Sequence, residues 1–239
     1  MKKFTILLFL FNALLLSNEC VGQKSNTDKK YTFKIGDDNG IGKWYMEREI
    51  AYVMGYQGID WLERSEREKE ENVSNLIQNM GIKSNDIIAD IGAGSGYHVF
   101  IMAPLAEKGL IYAVDIQGEM LMAIEKSKES FKIRNIETIL GSEKSVNLPK
   151  NSVDKILMVD VYHEFNFPVE MIASIKNVLK PNGQIFLIEY RGEDSKVPIK
   201  KIHKMTEKQA VREMEAAGFK LKENIANLPW QHCMVFAKK

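Results

Sequence analysis

The stretch Asp86-Ile-Ile-Ala-Asp90-Ile-Gly92-Ala-Gly94-Ser-Gly96-Tyr97 constrains this chain more than any other. Ile87, Ile88, Ala89 and Ile91 read as a short strand that is apolar on both faces, as in the middle of a parallel sheet. Asp90 interrupts it near its C-terminal end, three alternating glycines follow, and Tyr97 to Ala103 reads as a helix. Strand, glycine turn and helix together build a nucleotide site. Glycine permits the tight turn and a close ligand approach, and the helix start offers free N–H donors. The spacing is G-x-G-x-G, whereas the dinucleotide fingerprint is G-x-G-x-x-G, whose third glycine position is Tyr97 here. A carboxylate two residues before the first glycine would repel a pyrophosphate but accept hydrogen bonds from an ammonium group.

A chain of 239 residues suits one α/β domain with a sizeable core. A formal net charge of +1 makes no electrostatic case for nucleic acid or an anionic membrane surface. The N-terminus differs in character. Met1-Lys2-Lys3 precedes an apolar run from Phe4 to Leu16, shorter than the about 20 residues that span a bilayer. It predicts a signal peptide over residues 1–22, hence an exported protein, periplasmic or secreted, with no membrane span in the mature chain. An uncleaved anchor or a buried first helix is the alternative. Cys20 is a candidate lipidation site, although Glu19 suits that poorly. Cleavage after Gly22 leaves Cys233 alone, so no intramolecular disulfide is expected.

Residues 23–64 read as a polar linker followed by an aromatic-rich segment, with a helix expected over Trp44 to Tyr56 and ended by Gly55 and Gly58. That segment is either an edge helix with its aromatics in the core or a lid over the ligand site. Residues 65–239 form the main domain. Ser65 to Glu68 has the pattern of a capping box, and Val73, Leu76, Ile77 and Met80 make one apolar helical stripe ended by Gly81. The charge run Glu66 to Glu71 is expected to be that helix's solvated face.

Past the glycine turn, a helix bent at Pro104 is expected to reach Lys108. A second strand, Leu110 to Val114, ends at Asp115. A carboxylate there takes ribose hydroxyls in nucleotide-binding α/β folds, or simply caps the next helix. Ile136 to Leu140 is the third strand, followed by Gly141-Ser142-Glu143. Val153 to Val159 is the fourth, running into Asp160-Val-Tyr162-His163-Glu164-Phe165. Polar residues crowded at a strand end face the crevice where open α/β sheets bind ligands, with alternate residues pointing opposite ways. Pro168 starts a helix that Lys180-Pro-Asn-Gly183 stops. Gln184 to Ile188 is a fifth strand, with Glu189, Tyr190 and Arg191 at its crevice end. Thr206 to Gln209 caps a further helix, and a closing strand pair completes the chain.

Asp90-Ile-Gly92-Ala-Gly94-Ser-Gly96, followed in order by Asp115, the fourth-strand cluster and Leu-Lys-Pro-Asn-Gly183, resembles class I S-adenosylmethionine (SAM)-dependent methyltransferases over about Asn72 to Lys239. Among these it is most similar to predicted bacterial members with an exported N-terminus. The resemblance implies a Rossmann-like seven-stranded, mostly parallel sheet of order 3-2-1-4-5-7-6, with strand 7 antiparallel and helices on both faces. It implies SAM as cofactor, with Asp90 serving the methionine ammonium and Asp115 the ribose. Gly92, Ala93, Gly94, Gly96, Ile116, Ser142, Glu143 and Asp160 would complete that site. Ser142-Glu143 departs from the acidic or amide residue the family often carries directly after this glycine.

His163 is the expected general base, because imidazole titrates near neutrality. Tyr162, Glu164 and His203 are weaker candidates, and no metal site is expected. The Asp/Asn-Pro-Pro-aromatic motif of many amine and nucleic-acid methyltransferases is absent, which favours a small-molecule acceptor. One rival is a ligand-binding protein on the same scaffold without turnover. Export favours it, because SAM is made in the cytoplasm. A nicotinamide-dependent oxidoreductase is opposed by Tyr97 at the third glycine position.

Overall fold

The computed structural model describes residues 30–239. The expected signal peptide, its cleavage region and Cys20 lie outside the described residues. Seven strands form the main sheet: β4 (Ile87–Ile91), β5 (Leu110–Asp115), β6 (Ile136–Leu140), β7 (Val153–Val159), β8 (Leu179–Tyr190), β9 (Phe219–Asn224) and β10 (Gln231–Lys238). Their order is β6-β5-β4-β7-β8-β10-β9. Strands β4 to β8 pair in parallel, and β10 runs antiparallel to both of its neighbours. This is the expected 3-2-1-4-5-7-6 arrangement.

Alternation along each strand sends side chains to two apolar layers. Ala89, Ile91, Ile156 and Met158 face one layer, closed by α6 (Pro168–Val178) and α7 (Glu207–Ala216). Ile88, Ile111 and Leu157 face the other, closed by α3 (Val73–Met80), α4 (Tyr97–Met102) and α5 (Gly118–Phe131). Each such side chain is buried, which for the isoleucines, Leu157 and Met158 contributes about 1.5–3 kcal/mol relative to exposure.

The glycine turn forms as the spacing implies. Gly92 and Gly94 have φ of +76° and +54°, and Gly96, at +85°, caps α4. A Cβ on Gly92 would sit 2.4 Å from Val161 Cγ2. The helix after the turn is shorter than expected: α4 stops at Met102, ahead of Pro104. Similarly α6 stops at Val178, and Leu179 to Gly183 extends β8.

The N-terminal segment departs most from expectation. Instead of a helix over Trp44 to Tyr56, β1 (Tyr31–Phe33), β2 (Gly40–Tyr45) and β3 (Arg48–Ala51) form a small antiparallel sheet. Met46 and Glu47 turn between β2 and β3 with φ of 45° and 68°, as a two-residue hairpin requires. Tyr31, Tyr45 and Ile50 pack against Phe167 and Val169 at the start of α6. Arg48 forks onto Glu213 at 2.8 and 2.9 Å and donates to the His163 carbonyl at 3.0 Å. The small sheet is thereby fastened to the main domain.

A short α1 (Ile59–Leu62) follows, then α2 (Arg67–Glu71). The capping box does not form: the Ser65 hydroxyl donates to the Glu66 side chain. Asn72 separates α2 from α3 with a left-handed φ of 52°, and its Oδ1 accepts the Asn75 N–H at 3.1 Å. Nor is Glu66 to Glu71 simply a solvated face, because Arg67 and Glu71 are buried. Among the described residues no helix is long and apolar enough to cross a membrane.

Candidate functional site

A crevice of about 450 Å³ opens at the C-terminal ends of the parallel strands, where ligands of open α/β sheets bind. Gly92 and Gly94 form part of its floor. Asp115, at the end of β5, holds the turn in shape: its Oδ2 accepts the Gly94 N–H and its Oδ1 the Gln117 N–H, each at 2.9 Å. Burial pushes its pKa up against the pull of these amides. Ile116, Ser142 and Glu143 continue the wall, and Glu143 accepts a hydrogen bond from the Asn166 amide at 3.0 Å.

The opposite wall comes from ahead of the sheet, from Val53, Met54, Trp61, Leu62 and Arg64. Gln117 ties it down, accepting the Tyr56 N–H at 2.8 Å and donating to the Met54 carbonyl at 3.0 Å. Also lining the crevice, Arg64 and Arg67 both pair with Glu71, whose carboxylate accepts the Tyr190 hydroxyl. Sequence reasoning missed Arg64, Arg67 and Glu71. The i,i+4 spacing of Arg67 and Glu71 reads equally well as an exposed ion pair, and the partner Tyr190 is remote in the chain.

Two carboxyls at this end lack full complements of partners. Asp90 Oδ2 and Asp160 Oδ1 are buried without a hydrogen bond. Burial pushes the Asp90 pKa up to about 7, with the Arg67 charge opposing. Asp160 lines the crevice with φ at 49°, and its Oδ2 accepts from Gln231 at 2.6 Å. Burial, then the charges of Glu71 and Glu189, hold its pKa well above the usual carboxylate range. Asp90, Ala93 and Gly96 do not line the crevice; they build the turn beneath it.

The far end gathers His163, Glu164 and His203. His163 Nδ1 lies 2.7 Å from Glu189 Oε2 and its Nε2 lies 3.1 Å from His203 Nδ1. Because a carboxylate only accepts, Nδ1 carries the proton. Burial disfavours charge on His163, but the Glu189 carboxylate outweighs it and raises the pKa. Burial and then the neighbouring His163 lower His203 to about 4, and burial raises Glu164 to about 7. Tyr162 is not part of this group. Its ring packs in the core and its hydroxyl donates to Glu213 at 2.7 Å, because Tyr162 to Glu164 form a 3-10 turn, whose three residues per turn send successive side chains in different directions.

A family model described as "Methyltransferase domain" matches residues 82–232. An uncharacterized methyltransferase-like protein of Schizosaccharomyces pombe is 32% identical over 124 residues, 52% of this chain and 46% of that protein. An uncharacterized methyltransferase of Bacillus subtilis, YdaC, is 27% identical over 143 residues, 60% of this chain and 76% of that protein. The chain thus spans about half the length of the first of these relatives. A SAM-dependent methyltransferase of Aquifex aeolicus has a similar solved structure, with a TM-score of 0.73 at 22% identity over 77% of this chain and 98% of that one.

Proposed function

Because this chain belongs to the methyltransferase-domain family, we propose that its crevice passes a methyl group from SAM to a small-molecule acceptor. SAM is the cofactor. The observation that carries the reading is a pair of buried, unpartnered carboxyl oxygens, one on Asp160 in the crevice wall and one on Asp90 directly beneath the glycine turn. A ligand bearing an ammonium and a sulfonium suits two such acids. Asp115 keeps lone pairs for ribose hydroxyls beyond the two amides it accepts. Ser142 and Glu143 stand at the edge where an adenine would lie.

When bound, the cofactor supplies an electrophilic methyl group. The chain's own residues do the rest. Met54, Trp61 and Leu62 wall the crevice with apolar surface that would shield a bound ligand from water. Main-chain and carboxylate contacts orient the donor, so that methyl transfer becomes a positioned in-line displacement. His163, Glu164 and His203 stand where the acceptor enters. The cavity volume lies within the range of small-molecule sites.

Calorimetry with SAM, followed by transfer of a labelled methyl group to a panel of small hydroxyl, thiol and amine acceptors, tests the reading. Saturable SAM binding with label in one acceptor class supports it. Binding without transfer to any acceptor favours a binding protein on this scaffold, and no SAM binding overturns both.

A further inference from the structure

We infer that His163, Glu164 and His203 form a binding site for a divalent first-row transition-metal ion at the acceptor end of the crevice. No local metal-ligand spacing marks these donors in the sequence, since His203 lies far along the chain, in the connection between β8 and α7. The fold brings the three donors together. His163 Nε2 and His203 Nδ1 are 3.1 Å apart, and Glu164 Oε1 is 3.9 Å from the first and 4.0 Å from the second. A point equidistant from all three lies about 2.1–2.2 Å from each, the length of zinc–nitrogen and zinc–oxygen bonds.

The surroundings suit a cation. Glu189, fully buried, accepts the Nδ1 proton of His163 and so leaves Nε2 as the lone-pair nitrogen. A carboxylate behind a ligating imidazole is the usual outer partner in metal sites. Glu189 is itself fixed by the backbone N–H groups of Tyr162 and His163, at 2.9 and 3.3 Å. Glu164 Oε1 is steadied by the Met54 N–H at 3.2 Å. Together the two carboxylates balance a divalent charge. The nearby cations are engaged elsewhere, Lys200 with Asn39 Oδ1 and Arg48 with Glu213.

Two imidazoles and one carboxylate are the donor set of open zinc and ferrous sites. Three protein ligands leave a coordination position free on the crevice side, where an oxygen or sulfur donor of the acceptor would bind. That last point rests on the methyl-transfer reading, whereas the metal site itself does not.

The test reads the metal alone. The full chain is stripped with a chelator and titrated with zinc by calorimetry, and cobalt(II) is added separately for its visible spectrum. One zinc per chain and intense cobalt bands of four- or five-fold coordination are expected. Glu189→Gln should weaken zinc by about 10- to 100-fold, and Glu164→Gln and His203→Gln by at least as much. His203 is half-buried, so its variant keeps the test usable should a change at His163 or Glu189 unfold the chain. No stoichiometric zinc overturns the inference. So does zinc bound equally well by wild type and by the His203 and Glu164 variants, which would place the ion elsewhere, as at His232 and Glu193.

Discussion

Glu71 Oε1 accepts the Tyr190 hydroxyl at 2.9 Å, joining a helix that precedes the main sheet to the last residue of β8. The same carboxylate takes Arg64 and, at 2.7 Å, Arg67, with all three charged side chains nearly buried. Glu71→Ala would strand the Arg67 guanidinium and leave Arg64 with Glu70 alone, at a cost of about 3–5 kcal/mol. A clear drop in Tm is expected, and an unchanged melting curve would show that the cluster carries no stability.

Asp160 in the crevice wall and Asp90 beneath the glycine turn predict a pH dependence of definite sign. The folded-state pKa of Asp90 is raised to about 7, and burial, then the charges of Glu71 and Glu189, hold that of Asp160 well above the usual carboxylate range. In the free protein their contribution to stability is therefore full below the ordinary carboxylate range and is lost as pH rises through the folded values. A cationic ligand needs the ionised forms, so SAM affinity should increase between pH 6 and pH 8, by up to about tenfold per pH unit for each proton released. Calorimetry across that range checks this. Asp90→Asn should weaken binding and flatten the profile, and a wild-type affinity independent of pH would separate these acids from the ligand.

Asp115 both holds the glycine turn and faces the crevice. Asp115→Ala removes a charged acceptor and should cost about 1.5–3 kcal/mol of SAM binding, or about 10- to 150-fold in affinity. Wild-type affinity in the variant would remove this residue from the site.

Gly94 holds φ at +54°, and a Cβ there would come 2.6 Å from Leu62 Cδ1. Valine adds backbone strain of about 1–3 kcal/mol and pushes the front wall off the floor. Gly94→Val should abolish SAM binding while the far-ultraviolet circular dichroism stays that of the wild type. An unchanged titration curve would contradict the role given to the turn.

What the sequence disclosed followed from how local each signal is. β4, the glycine turn and Asp115 are specified by adjacent residues, and so was the alternation of strands with helices. Thr206 also caps α7 as its pattern implies, accepting the Gln209 N–H at 3.1 Å. The small N-terminal sheet escaped because Met46-Glu47 turns without glycine, asparagine or aspartate, the residues that normally signal a hairpin. Ser65 carried a capping pattern, yet Asn72 supplies the cap one helix later. The burial of Arg67 and Glu71, and the meeting of His203 with His163, depend on contacts between distant segments that no local pattern encodes.

The two ends of the crevice are built from differently constrained chain. The donor end is locked to sheet register: β4 and β5 pair residue for residue up to the glycine turn. The end that holds His163 borrows His203 and its neighbours from a connection, and the wall over the glycine turn comes from the segment between β3 and α2. Such connections tolerate exchange and insertion at little cost to the core. On the proposed methyl-transfer reading, a lineage of this chain changes acceptors by rewriting the connection that carries His203 while inheriting the register-locked half intact, and a chimera that takes only that connection from a relative tests this by its shift in acceptor.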